Sequence, residues 1–117
     1  MRHFPIFLDM QGQRVTLFGG GETALAKLRL LLKSTAQVTV VAPDPDTEIV
    51  ALAERGRLTL LRREARAGDA AGARLAYAAT GDDAEDARLA ALARGDGALV
   101  NSVDNLERSD FITPAMV

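Results

Sequence analysis

The sequence contains no cysteine and a single histidine, His3. Disulfide bonds, cysteine nucleophiles and cysteine metal sites are therefore excluded, and one histidine is too few for a cluster of nitrogen ligands. We predict no resident metal site in this chain. The lack of cysteine also fits a protein that works in a reducing cytoplasm, which is the localisation we expect.

The sequence also lacks a strong charge bias and long apolar runs. The net charge is −2, so nothing global would attract nucleic acid or an anionic membrane surface. No apolar run approaches the roughly 20 residues of a membrane span. Asp9 follows the first apolar residues too closely for the core of a signal peptide. We expect neither nucleic acid nor a membrane as partner.

The length of 117 residues, 48% of them hydrophobic, allows one domain with one buried core. The last residues, Asp110 to Val117, form an apolar stretch without a polar tail. We therefore interpret residues 1–117 as a single domain and expect the chain to be a fragment of a longer protein.

Short apolar runs alternate with segments of helical periodicity along the whole chain. This alternation predicts an α/β fold, a Rossmann-type doubly wound sheet that is mostly parallel. The predicted strands are Phe4–Leu8, Arg14–Phe18, Gln37–Ala42, Leu58–Leu61, Leu75–Ala79 and Ala98–Asn101; the predicted helices are Glu22–Lys33, Thr47–Arg55 and Asp83–Arg94.

The turn after the second predicted strand fits the dinucleotide-binding pattern G-x-G-x-x-G/A. Gly19 allows the tight turn, Gly21 lets a pyrophosphate approach the backbone, and Ala24 permits close packing of the following helix. The alternative is a glycine-rich turn that only joins strand to helix. The cofactor contacts predicted from this turn are Gly19, Gly20, Gly21, Glu22 and Thr23.

The end of the next strand supplies the acidic residue of this pattern, displaced by one position to Asp44 after Pro43. Asp44 could accept hydrogen bonds from the adenosine ribose, and no arginine adjoins it to hold a 2′-phosphate, so we favour NAD over NADP. Capping of the following helix by Asp44 or Asp46 is an equal alternative. Thr80 and Gly81 end a later strand and are candidates to line the nicotinamide ribose, or they form a helix-capping turn.

Six segments, in their order and spacing, together resemble the N-terminal domain of siroheme synthase, in the precorrin-2 dehydrogenase/sirohydrochlorin ferrochelatase family. They span nearly the whole chain. The segments are Phe4–Phe7, Gly19–Ala24 with Lys27 and Leu30–Leu32, Val38–Pro43, Ala78–Asp83, Asn101–Asp104 and Phe111–Ala115.

The resemblance implies NAD-dependent oxidation of precorrin-2 to sirohydrochlorin, followed by insertion of Fe²⁺, a substrate metal, to give siroheme. It also implies a homodimer in the full-length form, whose dimerisation region follows this domain and is absent here. Two positions depart from the family pattern: Ala26 stands where an arginine is usual, and Leu106 where a proline is usual.

Asp104 matches the family's catalytic aspartate and follows a predicted strand, at the sheet edge where doubly wound folds bind ligands. A carboxylate suits both reactions, because oxidation and metallation each release protons. The alternative is that Asp104 only organises a turn.

Precorrin-2 carries many carboxylates, so its pocket should offer basic groups. Arg108, beside Asp104, is a candidate for substrate binding, although a solvated arginine is the simpler interpretation. Lys27, Arg29 and Lys33 are interpreted as the solvent-exposed face of the first helix.

Two other functions stay open. A regulatory NAD-sensing module would share the glycine turn and have no need of Asp104. A family member with a single activity, dehydrogenase or chelatase, would keep one of the two reactions.

Overall fold

A computed structural model describes residues 1–113 of the chain. Residues 114–117 lie outside the described part. They include Pro114 and Ala115, the end of the last segment of the resemblance, and the second half of the apolar stretch from Asp110 to Val117.

Residues 1–113 contain five strands and three α-helices, which alternate except that the fourth strand follows the third without a helix between them. They are β1 (Arg14–Phe18), α1 (Glu22–Leu31), β2 (Gln37–Val41), α2 (Thr47–Glu54), β3 (Thr59–Leu61), β4 (Ala73–Ala78), α3 (Asp83–Gly95) and β5 (Leu99–Ser102), followed by a 3₁₀ turn at Leu106–Arg108.

The strands form one sheet in the order β3-β2-β1-β4-β5, and every strand pair in residues 1–113 is parallel. The predicted α/β doubly wound fold is therefore confirmed. The chain order reverses between β1 and β4, and ligands of such folds bind at this point, outside the carboxyl ends of the strands.

Two apolar layers cover the sheet. On one face, Val15 and Leu17 of β1 pack with Leu25 and Leu28 of α1 and Ile49 of α2. The opposite face is a second cluster, in which side chains of β1, β2, β4 and β5 pack against α3: Phe18, Val41, Ala76, Ala78, Val100, Leu89, Ala90 and Ala93. The near-continuous apolar strands are explained by this burial on both faces.

The strand predicted at Phe4–Leu8 is wrong. Residues 4–10 have no regular structure, and the turn after them is closed by a 3.0 Å hydrogen bond from Gln13 N to Met10 O. Phe4 is 83% exposed and Phe7 is fully exposed, which shows that this apolar segment does not pack against the sheet within residues 1–113. Pro5 also removes one donor that a ladder would need.

The outer edge of β5 is covered by the chain that follows it. Val100 N donates to Asp110 Oδ2 over 2.8 Å, and Asp110 N donates to Val100 O over 2.7 Å. Ser102 N donates to Ser109 Oγ over 2.9 Å, and Ser102 O accepts from Asn105 N over 3.0 Å. The outward-facing backbone groups of this edge strand are thus all paired.

Candidate functional site

Two cavities open at the carboxyl edge of the sheet. The first, which we call the glycine-turn cavity, has a volume of about 340 Å³. It brings together the ends of β1, β2 and β4 with the first turns of α3. Its lining is Gly19, Gly20, Gly21, Val41, Ala42, Pro43, Asp44, Glu64, Ala65, Thr80, Glu85, Arg88 and Leu89.

The first two glycines are required by close backbone contacts. A Cβ on Gly19 would lie 2.3 Å from Ala79 O, and the φ of Gly19 is +131°, a conformation that other residues rarely adopt. A Cβ on Gly20 would lie 2.8 Å from Pro45 Cα and 2.9 Å from Ala42 Cβ. Because Gly19 and Gly20 have no side chain, the carboxyl ends of β1, β2 and β4 can lie in close contact.

No such close contact requires a glycine at position 21. A Cβ built there meets nothing within 4 Å among the described residues. Gly21 is the N-cap of α1, and no side chain in residues 1–113 caps that helix. The helix therefore presents free backbone N–H groups and a partial positive charge toward an open space, an arrangement that fits a pyrophosphate.

Asp44 and Asp46 have different roles. Asp46 is the N-cap of α2, where its Oδ1 accepts a 2.8 Å hydrogen bond from Glu48 N. Asp44 is exposed, lines the glycine-turn cavity, and accepts no side-chain hydrogen bond from any residue in the 1–113 range. Of the two aspartates, Asp44 is thus the one whose carboxylate is available to a ligand in this cavity.

Thr80 lines the cavity and is held by a buried carboxylate that sequence reasoning missed. Asp86, 4% exposed, accepts hydrogen bonds from Thr80 N over 2.9 Å and from Thr80 Oγ1 over 2.7 Å. Asp82 is the N-cap of α3 and accepts from Glu85 N. The turn after β4 is thus both a capping turn and a cavity wall.

Three predicted cofactor contacts are not among the lining residues. Glu22 and Thr23 lie in the first turn of α1, just beyond Gly21. Gly81 lies against that turn, since a Cβ at Gly81 would stand 3.8 Å from Thr23 Oγ1. These three residues border the cavity at the helix N-terminus without facing into it.

The outer wall of the glycine-turn cavity is fixed by an ion pair. Asp69 accepts from Arg63 Nη1 over 2.9 Å and from Arg63 Nη2 over 2.7 Å, and its Oδ2 also accepts from Arg66 N. The hydrogen bonds from Arg63 hold the pKa of Asp69 below its usual value. This pair closes the loop that carries Glu64 and Ala65 to the cavity.

The second cavity, which we call the Asp104 cavity, has a volume of about 290 Å³ and lies beyond the end of β5. Val103 of its lining packs with the cluster on the α1 face, whereas three apolar residues of the glycine-turn cavity, Val41, Ala65 and Leu89, belong to the cluster on the α3 face. Its lining is Lys27, Asn101, Ser102, Val103, Asp104, Asn105, Leu106, Ser109, Ile112 and Thr113.

Asp104 stands at the corner of the turn after β5. Its φ is +63°, and it is the one residue other than glycine in residues 1–113 with a positive φ. The turn is closed by Asn105 N, which donates to Ser102 O over 3.0 Å, and by Ser109 Oγ, which donates to Asn105 O over 2.8 Å. The Asp104 carboxylate itself accepts no hydrogen bond from the described residues and is exposed.

Arg108 does not line the Asp104 cavity; it ties the Asp104 turn to α3. Its Nε donates to Ser102 Oγ over 3.0 Å, and its Nη2 donates to Asp83 Oδ1 over 2.7 Å. The hydrogen bond and charge of Arg108 lower the pKa of Asp83. The simpler interpretation of Arg108 as a solvated side chain is therefore wrong, since its side chain is only 20% exposed.

The wall of this cavity continues into the α1 face. Tyr77 stacks edge-on against Phe111, with ring centroids 5.4 Å apart, and its hydroxyl lies 2.7 Å from Thr113 Oγ1. Burial raises the pKa of Tyr77. Asn101 Nδ2 donates to Phe111 O over 2.9 Å, so the segment ending at Thr113 is fastened to β4 and β5.

The position of Lys27 shows that the solvent-exposed face predicted for α1 is partly wrong. Lys27 was assigned to that face with Arg29 and Lys33, yet it is half-buried and lines the Asp104 cavity. Arg29 does lie outside, where it pairs with Glu48 over 3.1 Å. Helical periodicity could not separate these positions, because α1 touches both solvent and the turn after β5.

In the described part of the chain, no group of three His, Asp or Glu side chains could hold a metal ion. Nor does any helix there have the length and apolar character needed to cross a membrane.

Residues 6–115 match the model of a family described as "Putative NAD(P)-binding". The chain belongs to this NAD(P)-binding family. Its glycine turn, with the open approach at Gly21 and the uncapped N-terminus of α1, is the part of the structure that fits such a cofactor.

This member of the family is also similar to siroheme synthases over its whole length. It is 47% identical over 117 residues to the enzyme of Chromobacterium violaceum and 44% identical to that of Methylococcus capsulatus. The chain spans 25% of the length of each of these relatives. The resemblance to siroheme synthase drawn from six sequence segments is therefore confirmed.

A solved structure of SirC, precorrin-2 dehydrogenase, has the same fold. It superposes with a TM-score of 0.82 at 26% identity, over 97% of this chain and 55% of the other.

Proposed function

We propose that this chain is the NAD-binding part of an enzyme that oxidises precorrin-2 to sirohydrochlorin and, in its full-length form, inserts Fe²⁺ into the product. The observation that carries the proposal is the pair of cavities at one sheet edge, one built on the glycine turn and one on Asp104. The similarity to siroheme synthases and to a precorrin-2 dehydrogenase supports it.

The glycine turn has the first task, which is to bind and orient the dinucleotide. The open side of Gly21 admits the pyrophosphate to the N–H groups of α1, and Asp44 accepts hydrogen bonds from the adenosine ribose. Thr80, fixed by Asp86, lines the same cavity and would border the nicotinamide ribose. Bound NAD supplies one piece of chemistry, the acceptance of a hydride.

Charge favours NAD over NADP. The glycine-turn cavity is lined by the carboxylates of Asp44, Glu64 and Glu85 and by one guanidinium, that of Arg88. Arg88 Nε already donates to Glu85 Oε1 over 2.8 Å. A 2′-phosphate would therefore meet an excess of negative charge.

Asp104 has the second task, which is to take a proton. Oxidation of precorrin-2 removes a hydride and a proton from the macrocycle, and metallation later displaces two pyrrole protons. The Asp104 carboxylate is exposed to its cavity and is not held by hydrogen bonds from residues 1–113, so it can accept such protons and attract the incoming Fe²⁺. The tetrapyrrole nitrogens supply the main ligands of the iron.

The full-length protein is proposed to be a homodimer that works in the cytoplasm. The 25% share of the relatives' length that this chain spans leaves room for further regions that would complete the substrate pocket.

The test is anaerobic NADH formation from precorrin-2 and NAD by the longest natural form of the protein, with Asp104→Asn alongside. We expect turnover with NAD, much slower turnover with NADP, and loss of turnover in the variant. A second assay follows metallation of sirohydrochlorin by Fe²⁺.

Different results would support different functions. NAD binding without turnover in a folded protein would contradict the dehydrogenase and support the sensing module. Turnover without metallation would leave a single-activity dehydrogenase, and metallation alone a chelatase.

A further inference from the structure

The Asp104 cavity holds two charged side chains, Lys27 on α1 and Asp104 on the turn after β5. Neither forms an ion pair or a hydrogen bond with any residue in the described part of the chain. They line one cavity and yet stay farther apart than the 4.0 Å of a salt bridge. A half-buried lysine that lines a cavity with an unpaired carboxylate, without joining it, has an ammonium available to another anion.

The other polar groups of this cavity are already used by the fold. Each forms a hydrogen bond within the protein. Asn101 bonds to Phe111 and Thr113 to Tyr77, while Ser102 bonds to Arg108 and Ser109, and Asn105 to Arg108. Lys27 and Asp104 are therefore the two polar side chains of the lining that remain available to a ligand.

We propose that Lys27 is a substrate-binding residue whose ammonium pairs with a carboxylate substituent of the tetrapyrrole. The inference rests on the proposed function, because that function supplies a polycarboxylate substrate. Lys27 and Asp104 then divide the work: the cation holds a carboxylate at the rim of the macrocycle, and the carboxylate faces the protons that leave its ring. Their failure to pair with each other is what keeps both groups available.

Lys27 has the position that this role needs. It lies on the second turn of α1, next to the buried Leu28, so its backbone is fixed by packing against the sheet. The glycine-turn cavity lies at the N-terminus of α1 and does not include Lys27 in its lining. Substrate binding and NAD binding should therefore respond differently to its replacement.

The experiment compares Lys27→Met, Lys27→Arg and Lys33→Met with the parent in the full-length protein. Met keeps most of the aliphatic stem and removes the charge, and Lys33 is an exposed lysine just after α1 that serves as the matched control. The probe is uroporphyrin, an octacarboxylate porphyrin that is not turned over, titrated by fluorescence at several salt concentrations. Kd for NAD and the KM and kcat for precorrin-2 are measured in parallel.

We expect Lys27→Met to weaken uroporphyrin binding and to raise the KM for precorrin-2 by about tenfold, the usual effect of losing one charge-assisted hydrogen bond. Its kcat and Kd for NAD should change little, its salt dependence of binding should flatten, and Lys27→Arg should restore binding. Lys33→Met should behave as the parent.

Three results would overturn the proposal in distinguishable ways. If the parent binds uroporphyrin and oxidises precorrin-2 but Lys27→Met does both equally well, Lys27 holds no carboxylate and the proposed function stands. If the parent neither binds uroporphyrin nor oxidises precorrin-2, the tetrapyrrole substrate itself is wrong and the role of Lys27 falls with it. A loss of NAD affinity alone in Lys27→Met would assign the ammonium to the cofactor instead.

Discussion

The two cavities at the carboxyl edge of the sheet are built in different ways. The glycine-turn cavity depends on backbone geometry at the end of β1, because Gly19 and Gly20 let three strand ends meet and Gly21 leaves a helix N-terminus open. The turn after β5, which lines the Asp104 cavity, is instead held by side chains: Arg108 and Ser109 both hydrogen-bond to Ser102, and Ser109 Oγ donates to Asn105 O. A cofactor common to many proteins can be held by backbone geometry, whereas a particular substrate needs particular side chains.

Among the substitutions that test this difference between the two cavities, replacement of Asp104 should have the largest effect on activity. We expect Asp104→Asn to lower kcat for precorrin-2 oxidation by about 100-fold or more, since it removes a proton acceptor. Asparagine tolerates the positive φ of this position, so the fold should be kept. An unchanged Kd for NAD is the control. Near-normal kcat in this variant would remove Asp104 from the chemistry.

Substitutions at two glycines of the turn should affect two different properties, NAD binding and stability. Gly21→Ala meets open space, so its free energy of unfolding should stay close to the parent value, while its Kd for NAD rises about tenfold or more because the methyl group occupies the approach of the pyrophosphate. Gly19→Ala should instead lower the free energy of unfolding by about 3 kcal/mol or more, as expected of backbone strain and overlap. Denaturant titration and NAD titration of both variants make the measurement.

If Gly21→Ala binds NAD as tightly as the parent, the cofactor does not pass over this turn. The glycine-turn cavity would then be a structural junction, and the contrast between the two cavities would disappear.

Arg108 tests whether the Asp104 cavity depends on its side-chain network. Arg108→Ala removes the donor to Ser102 Oγ and the link to Asp83, and we expect kcat for precorrin-2 to fall several-fold to tenfold, with a loss of about 1 to 2 kcal/mol of stability. Asp83→Asn removes only an exposed ion-pair partner and should change kcat little. A higher KM with normal kcat in Arg108→Ala would show that this arginine touches substrate.

The smallest effect is expected at the wall of the glycine-turn cavity. The pKa of Asp69 is lowered in the folded protein, so this carboxylate stabilises the fold above its unfolded pKa of about 4, and the contribution is lost as pH falls through the lower folded value. Asp69→Asn should therefore be less stable than the parent at neutral pH, and the difference should shrink in acid. Denaturant titrations between neutral and acidic pH measure it. A difference that does not change with pH would contradict the assignment.

The sequence allowed the fold to be predicted because each buried strand and amphipathic helix carries its own local pattern. The exception, Phe4–Leu8, has the apolar composition of a strand, but a strand also needs a neighbour, and none lies beside it in residues 1–113. A local hydrophobic pattern shows which residues could form a strand, but it does not show whether another strand lies beside them to pair with.

The candidate site could be predicted only where a local motif marks it. The glycine turn is contiguous in sequence, so its cavity was foreseen, and Asp104 was found through the family resemblance. Lys27 and Asp86 were missed because their meaning comes from contacts with distant elements, the turn after β5 and the turn after β4. No spacing along the chain signals such contacts.

The covering of β5 has a consequence for how this molecule meets others. A sheet can grow from one molecule into the next only through unpaired backbone groups at its edge. Those of Val100 are paired by Asp110, and those of Ser102 by Ser109 and Asn105. Continuous sheets across a subunit boundary are therefore blocked on this side. The folded domain is protected there against strand-by-strand aggregation, and any association on that flank must use side chains.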